Sequence, residues 1–187
     1  RKGTIDLYFI GAAGWARQDV FMKEVQSVSK LFEERFGTRG RTVRLINNSK
    51  TAAEIPIASM TSLKRALNQV GEVMDRDEDI LFLFLTSHGS KEHRFSIEFW
   101  PLKFNELTPK LLKELLDESG IKRRVLVVSA CYSGGFIDAL KGLLRTAFES
   151  AAAAGSPRVL FSANVLPKNI IERGDPYFRQ CMKTADL

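Results

Sequence analysis

The chain has 187 residues, 44% of them hydrophobic and 27% charged, which fits one globular domain with its own core and excludes wholesale disorder. No apolar run approaches the roughly 20 residues that a membrane-spanning helix needs. The net charge of +6 arises from 28 basic and 22 acidic residues. The two signs are interleaved, with the densest basic group at Arg35, Arg39, Arg41 and Arg44. Without a nucleic-acid-binding module or interleaved aromatics, this reads as a solvated basic face and not a nucleic-acid surface.

Ile5 to Ile10 is a short apolar run of β-formers closed by Gly11 and Gly14, and it predicts a buried strand and a turn. It follows Arg1 directly, so no secretory leader is read here; the chain does not open on Met and is read as a fragment. From about Asp19 to Phe36 the apolar residues Phe21, Val25, Val28, Leu31 or Phe32, and Phe36 make a helical stripe that Gly37 stops. Thr42 to Ile46 predicts the second strand, with Asn47, Asn48 and Ser49 as the loop after it. Thr61 is the expected cap of a helix with Leu63, Leu67, Val70 and Met74 on one face.

Asp79 to Thr86 predicts a third strand, apolar on both faces and therefore central in a parallel sheet. Alternation of Arg94, Ser96 and Glu98 with Phe95, Ile97 and Phe99 predicts a small half-exposed strand or hairpin. Thr108-Pro109 opens a Leu-rich helix that Gly120 ends, and Arg124 to Ser129 is the fourth strand. A helix from Phe136 to about Ala153 and a strand at Arg158 to Ala163 complete the alternation. The fold class is therefore α/β, a three-layer sandwich with a mostly parallel sheet and helices on both faces.

Two segments carry candidate chemistry: Thr86-Ser87-His88-Gly89-Ser90 after the third strand, and Ser129-Ala130-Cys131-Tyr132-Ser133-Gly134-Gly135 after the fourth. Ligands of open α/β sheets bind beyond the carboxyl ends of the strands, so the fold brings His88 and Cys131 to one rim. A thiol with a pKa of about 8.5 needs a base to ionise at neutral pH, and a Cys/His pair is the minimum equipment for acyl transfer. Gly89 permits close backbone approach, and its N–H, with that of Cys131, is the expected oxyanion hole. His93 reads as a surface residue of the hairpin, Cys181 as an idle thiol and Ser133 as a weak rival nucleophile. Cys131 and His88 lack further ligands at metal-site spacing, so neither a metal nor an organic cofactor is expected.

The paired motifs Phe84-Leu85-Thr86-Ser87-His88-Gly89-Ser90 and Val128-Ser129-Ala130-Cys131-Tyr132-Ser133-Gly134-Gly135 resemble those of the legumain family of cysteine peptidases. That family shares the caspase-haemoglobinase fold. The similarity covers Ile5 to about Leu140 and includes Gln18-Asp19-Val20-Phe21-Met22-Lys23-Glu24-Val25, a run of the bacterial-type members. The resemblance implies a single peptidase domain over residues 1–187, a Cys131/His88 dyad acting through a thioester acyl-enzyme, and a peptide or protein substrate. It also implies that Arg17 and position 129 line the substrate pocket. Legumains carry an acid two positions before the nucleophile; Ser129 stands there, so an unopposed Arg17 would favour aspartate over asparagine. Beyond Leu140 the sequence departs from the family's usual continuation. Two other readings stand beside hydrolysis: a transamidase or peptide ligase on the same dyad, and a catalytically silent α/β binding module.

Overall fold

The structure, a computed structural model, describes residues 3–137 and 139–140 together with the backbone of residues 160–163. Five parallel strands form one sheet: β1 (Leu7–Ala13), β2 (Thr42–Ile46), β3 (Ile80–Thr86), β4 (Arg124–Ser129) and β5 (Leu160–Ala163), in the order β2-β1-β3-β4-β5. Helices α1 (Asp19–Arg35), α2 (Met60–Val73) and α3 (Pro109–Glu118) connect them. The doubly covered parallel sheet expected from the alternating pattern is what the chain forms.

The two faces of the sheet have separate cores because successive strand residues point to opposite sides. Phe9, Phe82, Phe84 and Val127 pack with Phe21, Met22, Val25, Val28 and Phe32 of α1 on one face. Phe9, Phe32 and Phe82 form a continuous aromatic cluster, with ring centroids 4.9, 6.0 and 4.4 Å apart. Ile10, Leu81, Leu83 and Leu126 pack with α2 and α3 on the other face, joined by Phe136 and Leu140 of the helical stretch after β4. That makes three layers, with β3 buried at the centre.

Several boundaries differ from the periodicity reading, each for a local reason. Ile5 is exposed, and β1 instead runs through Gly11 to Ala13. The cap of α2 is Ser59 and not Thr61: Ser59 and Ser62 exchange bonds between side chain and backbone, satisfying two N–H groups at once. Asp79 lies outside β3 because its carboxylate is occupied, accepting from Asp6 N–H and Asp75 N–H. The hairpin at residues 94–99 is a set of isolated bridges joining Phe95 to Gly89 and Leu107, and Glu98 to Trp15. The helix after Cys131 starts at residue 134, ahead of Phe136. Its expected continuation to Ala153, and Cys181, lie outside the described residues. In the basic group, Arg41 pairs with Asp6 at 3.0 Å and Arg44 with Glu33 at 3.7 Å.

Buried Asn47 sets the geometry of the rim. Its amide donates to the carbonyls of Gly14 and Ala58 and accepts from Ala58 N–H, all within 3.1 Å. The loop after β1 is thereby tied to the end of β2, where a polar group without partners would cost about 1–3 kcal/mol.

Candidate active site

Strands β3 and β4 are neighbours in register, with Thr86 opposite Ser129. The ladder continues one step further through Ser87 N–H to the Ser129 carbonyl at 3.2 Å. His88 and Cys131 thus emerge side by side at the carboxyl edge of the sheet, both exposed. The segments touch backbone to backbone: a Cβ placed on Gly89 would lie 2.0 Å from the Cys131 carbonyl oxygen and 3.2 Å from its nitrogen. Only hydrogen fits there. The main-chain atoms of Gly89 and Cys131 are thus in close contact at the rim.

The imidazole is held from the other side. His88 Nε2 lies 2.8 Å from Gln18 Oε1, and the ring sits edge-on between Trp15 and Phe21, each at 5.0 Å between centroids. An amide oxygen only accepts, so Nε2 carries the hydrogen and Nδ1 of the neutral ring is left as the basic nitrogen. Gln18 is the N-cap residue of α1, yet its side chain makes no cap bond; it is used on His88 instead. Gln18 opens the run that resembles the bacterial-type members, and nothing in that run marks it as a partner of a histidine. An amide just before an amphipathic helix was the available signal, and its partner 70 positions away was not visible.

Arg17 lies on the same loop, paired through Nε with Glu98 Oε1 at 3.1 Å. Glu98 also accepts from Trp100 N–H, while its Oε2 is buried with no hydrogen-bond partner among the described residues. The guanidinium is therefore opposed by a carboxylate that sequence reasoning missed. Ser129 is buried on the α1 face beside Thr86, whose hydroxyl donates to Glu24. Burial pushes the Glu24 carboxyl above its ordinary range, with the Thr86 bond acting in the opposite direction. Ser133 is fully buried and cannot meet a substrate as a nucleophile. No group of three or more His, Cys, Asp or Glu is placed to hold a metal ion among the described residues.

Residues 57–187, more than half of the chain, match the peptidase C13 family, that of the legumains. The chain belongs to the peptidase C13 family. The match runs past Leu140, where the motif-based resemblance faded, and it includes both rim motifs. Similarity of another kind links the chain to proteins named ferrochelatase. That of Wolbachia sp. subsp. Brugia malayi is 32% identical over 114 residues, covering 60% of this chain and 30% of that protein. That of Caulobacter vibrioides is 37% identical over 78 residues, 41% of this chain and 21% of that protein. The chain spans less than a third of the length of these two relatives. No helix among the described residues of this C13 member is long and apolar enough to cross a membrane.

Proposed function

We propose that this C13 member is a cysteine endopeptidase in which Cys131 is the nucleophile and His88 the general acid and base. The observation that carries the reading is the seating of His88. Gln18 takes the Nε2 hydrogen, and Trp15 and Phe21 hold the ring, which leaves Nδ1 as the nitrogen available to take a proton from the thiol. In the reaction Nδ1 accepts the thiol proton and the thiolate attacks the scissile carbonyl carbon, forming the C–S bond. The N–H groups of Gly89 and Cys131 receive the oxyanion. On collapse the C–N bond breaks and the amine leaves with the proton held by His88. Water, deprotonated by His88, then attacks the thioester, releasing the acid and returning the proton to sulfur.

The ferrochelatase likeness points to other chemistry, but it covers a small part of those proteins. The thiol, oriented imidazole and glycine at one rim are the equipment of acyl transfer. Substrate choice follows from Arg17 and Glu98. Because Glu98 opposes Arg17, the pair is charge-balanced and no longer favours aspartate; the exposed guanidinium keeps further N–H donors, which suit the carbonyl of a side-chain amide without requiring a second charge. Acyloxymethyl ketone probes carrying Asn, Asp, Ala or Lys before the reactive carbonyl test both levels, since a competent thiolate displaces the acyloxy group to leave a thioether. Labelling is expected at Cys131, fastest with Asn. Aspartate ahead of asparagine would overturn the pocket assignment, and no labelling of Cys131 by any probe would overturn the peptidase.

The seating of His88 has its own test. In Gln18→Leu the Nε2 acceptor is gone, and long-range ¹⁵N spectra of the neutral imidazole should show the fixed tautomer giving way to a mixture. Activity should fall about tenfold to a hundredfold through kcat, because the base is present but misplaced. A parental spectrum in Gln18→Leu would remove Gln18 from the mechanism.

A further inference from the structure

His93 takes no part in the chemistry above, yet it leans on the thiol loop. Its Nδ1 lies 2.8 Å from the Tyr132 carbonyl oxygen. A carbonyl only accepts, so Nδ1 carries a hydrogen and donates. The ring also fills the space beside Gly135, where an added Cβ would lie 2.1 Å from His93 Cγ and 2.6 Å from Nδ1. A third observation is conformational. His93 (φ 59°) and Tyr132 (φ 56°) are the non-glycine residues with left-handed backbone among the described residues, and they are bonded to each other. Such positions are strained and persist where the surroundings over-determine them, commonly at functional sites.

At position 93 the tight hairpin, closed by His93 N–H to Ser90 O and Ser90 N–H to Arg94 O, would take glycine more easily than histidine. The imidazole earns its place through what it touches. The same hairpin begins at His88, so one short segment holds the base at one end and grips the nucleophile's loop at the other. The bond to the Tyr132 carbonyl fixes the peptide plane between Tyr132 and Ser133, and through it the Cys131 backbone.

We propose that His93 is a positioning residue: it clamps the Tyr132–Gly135 turn so that Cys131 stays in register with His88. This rests on the dyad reading. The test is a double-mutant cycle of His93→Gly, Gly135→Ala and both together, read by iodoacetamide alkylation of Cys131 and by hydrolysis of fluorescein-labelled casein. Mass spectrometry of the Cys131 peptide separates it from Cys181. Glycine at position 93 removes the ring without adding backbone strain, which keeps that variant folded.

His93→Gly is expected to slow alkylation at neutral pH about tenfold, because the thiol is no longer held beside His88. Gly135→Ala is expected to lose about 100-fold, because its methyl group meets the ring and displaces the turn. The double variant should recover to the level of His93→Gly, since the methyl group then has room. Losses that multiply, or an unchanged alkylation profile in His93→Gly, would overturn the clamp; if Gly135→Ala does not fold, that profile decides alone. Alkylation reads the thiol's setting whether or not casein is cut. Recovery in alkylation with casein uncut keeps the clamp and drops the peptidase, and casein cleavage with multiplying losses drops the clamp alone.

Discussion

Cys131→Ala is expected to abolish hydrolysis of fluorescein-labelled casein, a loss on the order of a thousandfold or more, while the protein melts at the parental temperature. Both halves follow from position. The thiol is exposed at the strand end, so its removal leaves no cavity in the core and stability should change by no more than about 0.5 kcal/mol. His88→Ala should lose a comparable factor. Its thiol should persist but react slowly with iodoacetamide at neutral pH, because nothing is left to take the proton. Cys181→Ala should keep parental activity. Casein hydrolysis by Cys131→Ala near the parental rate would sink the mechanism; equal loss in Cys181→Ala would move the nucleophile.

Gly89→Ala is the most damaging single methyl group predicted at the rim. Gly89 does not have a left-handed backbone, so conformational freedom is not the issue. Space is. The new Cβ would meet the Cys131 carbonyl oxygen at 2.0 Å, and that oxygen belongs to the main chain and has no rotamer to escape into. Relief requires the His88 and Cys131 segments to part by about 1 Å, a displacement that costs about 100-fold in a well-placed site. The same overpacking costs about 1–3 kcal/mol, so the melting temperature should fall by roughly 2–10 °C. Loss of casein hydrolysis with Cys131 alkylated at the parental rate would mean that the methyl group blocks the oxyanion hole without moving the thiol. Full activity would show that the two backbones are not held together in solution.

The parts legible in the sequence were those written in one stretch of chain. β3 could be read as central because Ile80 to Leu85 is continuously apolar, and α1 because its stripe keeps a helical period from Phe21 to Phe32. The placement of His88 and Cys131 at one rim was legible because each sits in a short motif at the end of a neighbouring strand. The residues that orient them were not. Gln18 meets His88 across 70 positions, Arg17 meets Glu98 across 81, and His93 meets Tyr132 across 39. No periodicity encodes such a pair; each depends on the β-strand order and on a hairpin that folds back over the loop after β1. His93 read as a surface residue, and it is indeed exposed, but exposure and contact with the nucleophile's loop are compatible at a rim. The cap at Ser59 is hidden for a different reason: Thr61 is also a capping residue type, and only the reciprocal bonds of Ser59 and Ser62 distinguish the two.

The order of the site's parts along the chain has a consequence during translation. Trp15, Gln18, Phe21 and His88 are all synthesised before Cys131, and β4 must pair with β3 before the thiol reaches the rim. On the dyad proposed above, a chain halted before β4 would lack the nucleophile. Competence would come only after that strand has extended the sheet beyond β3.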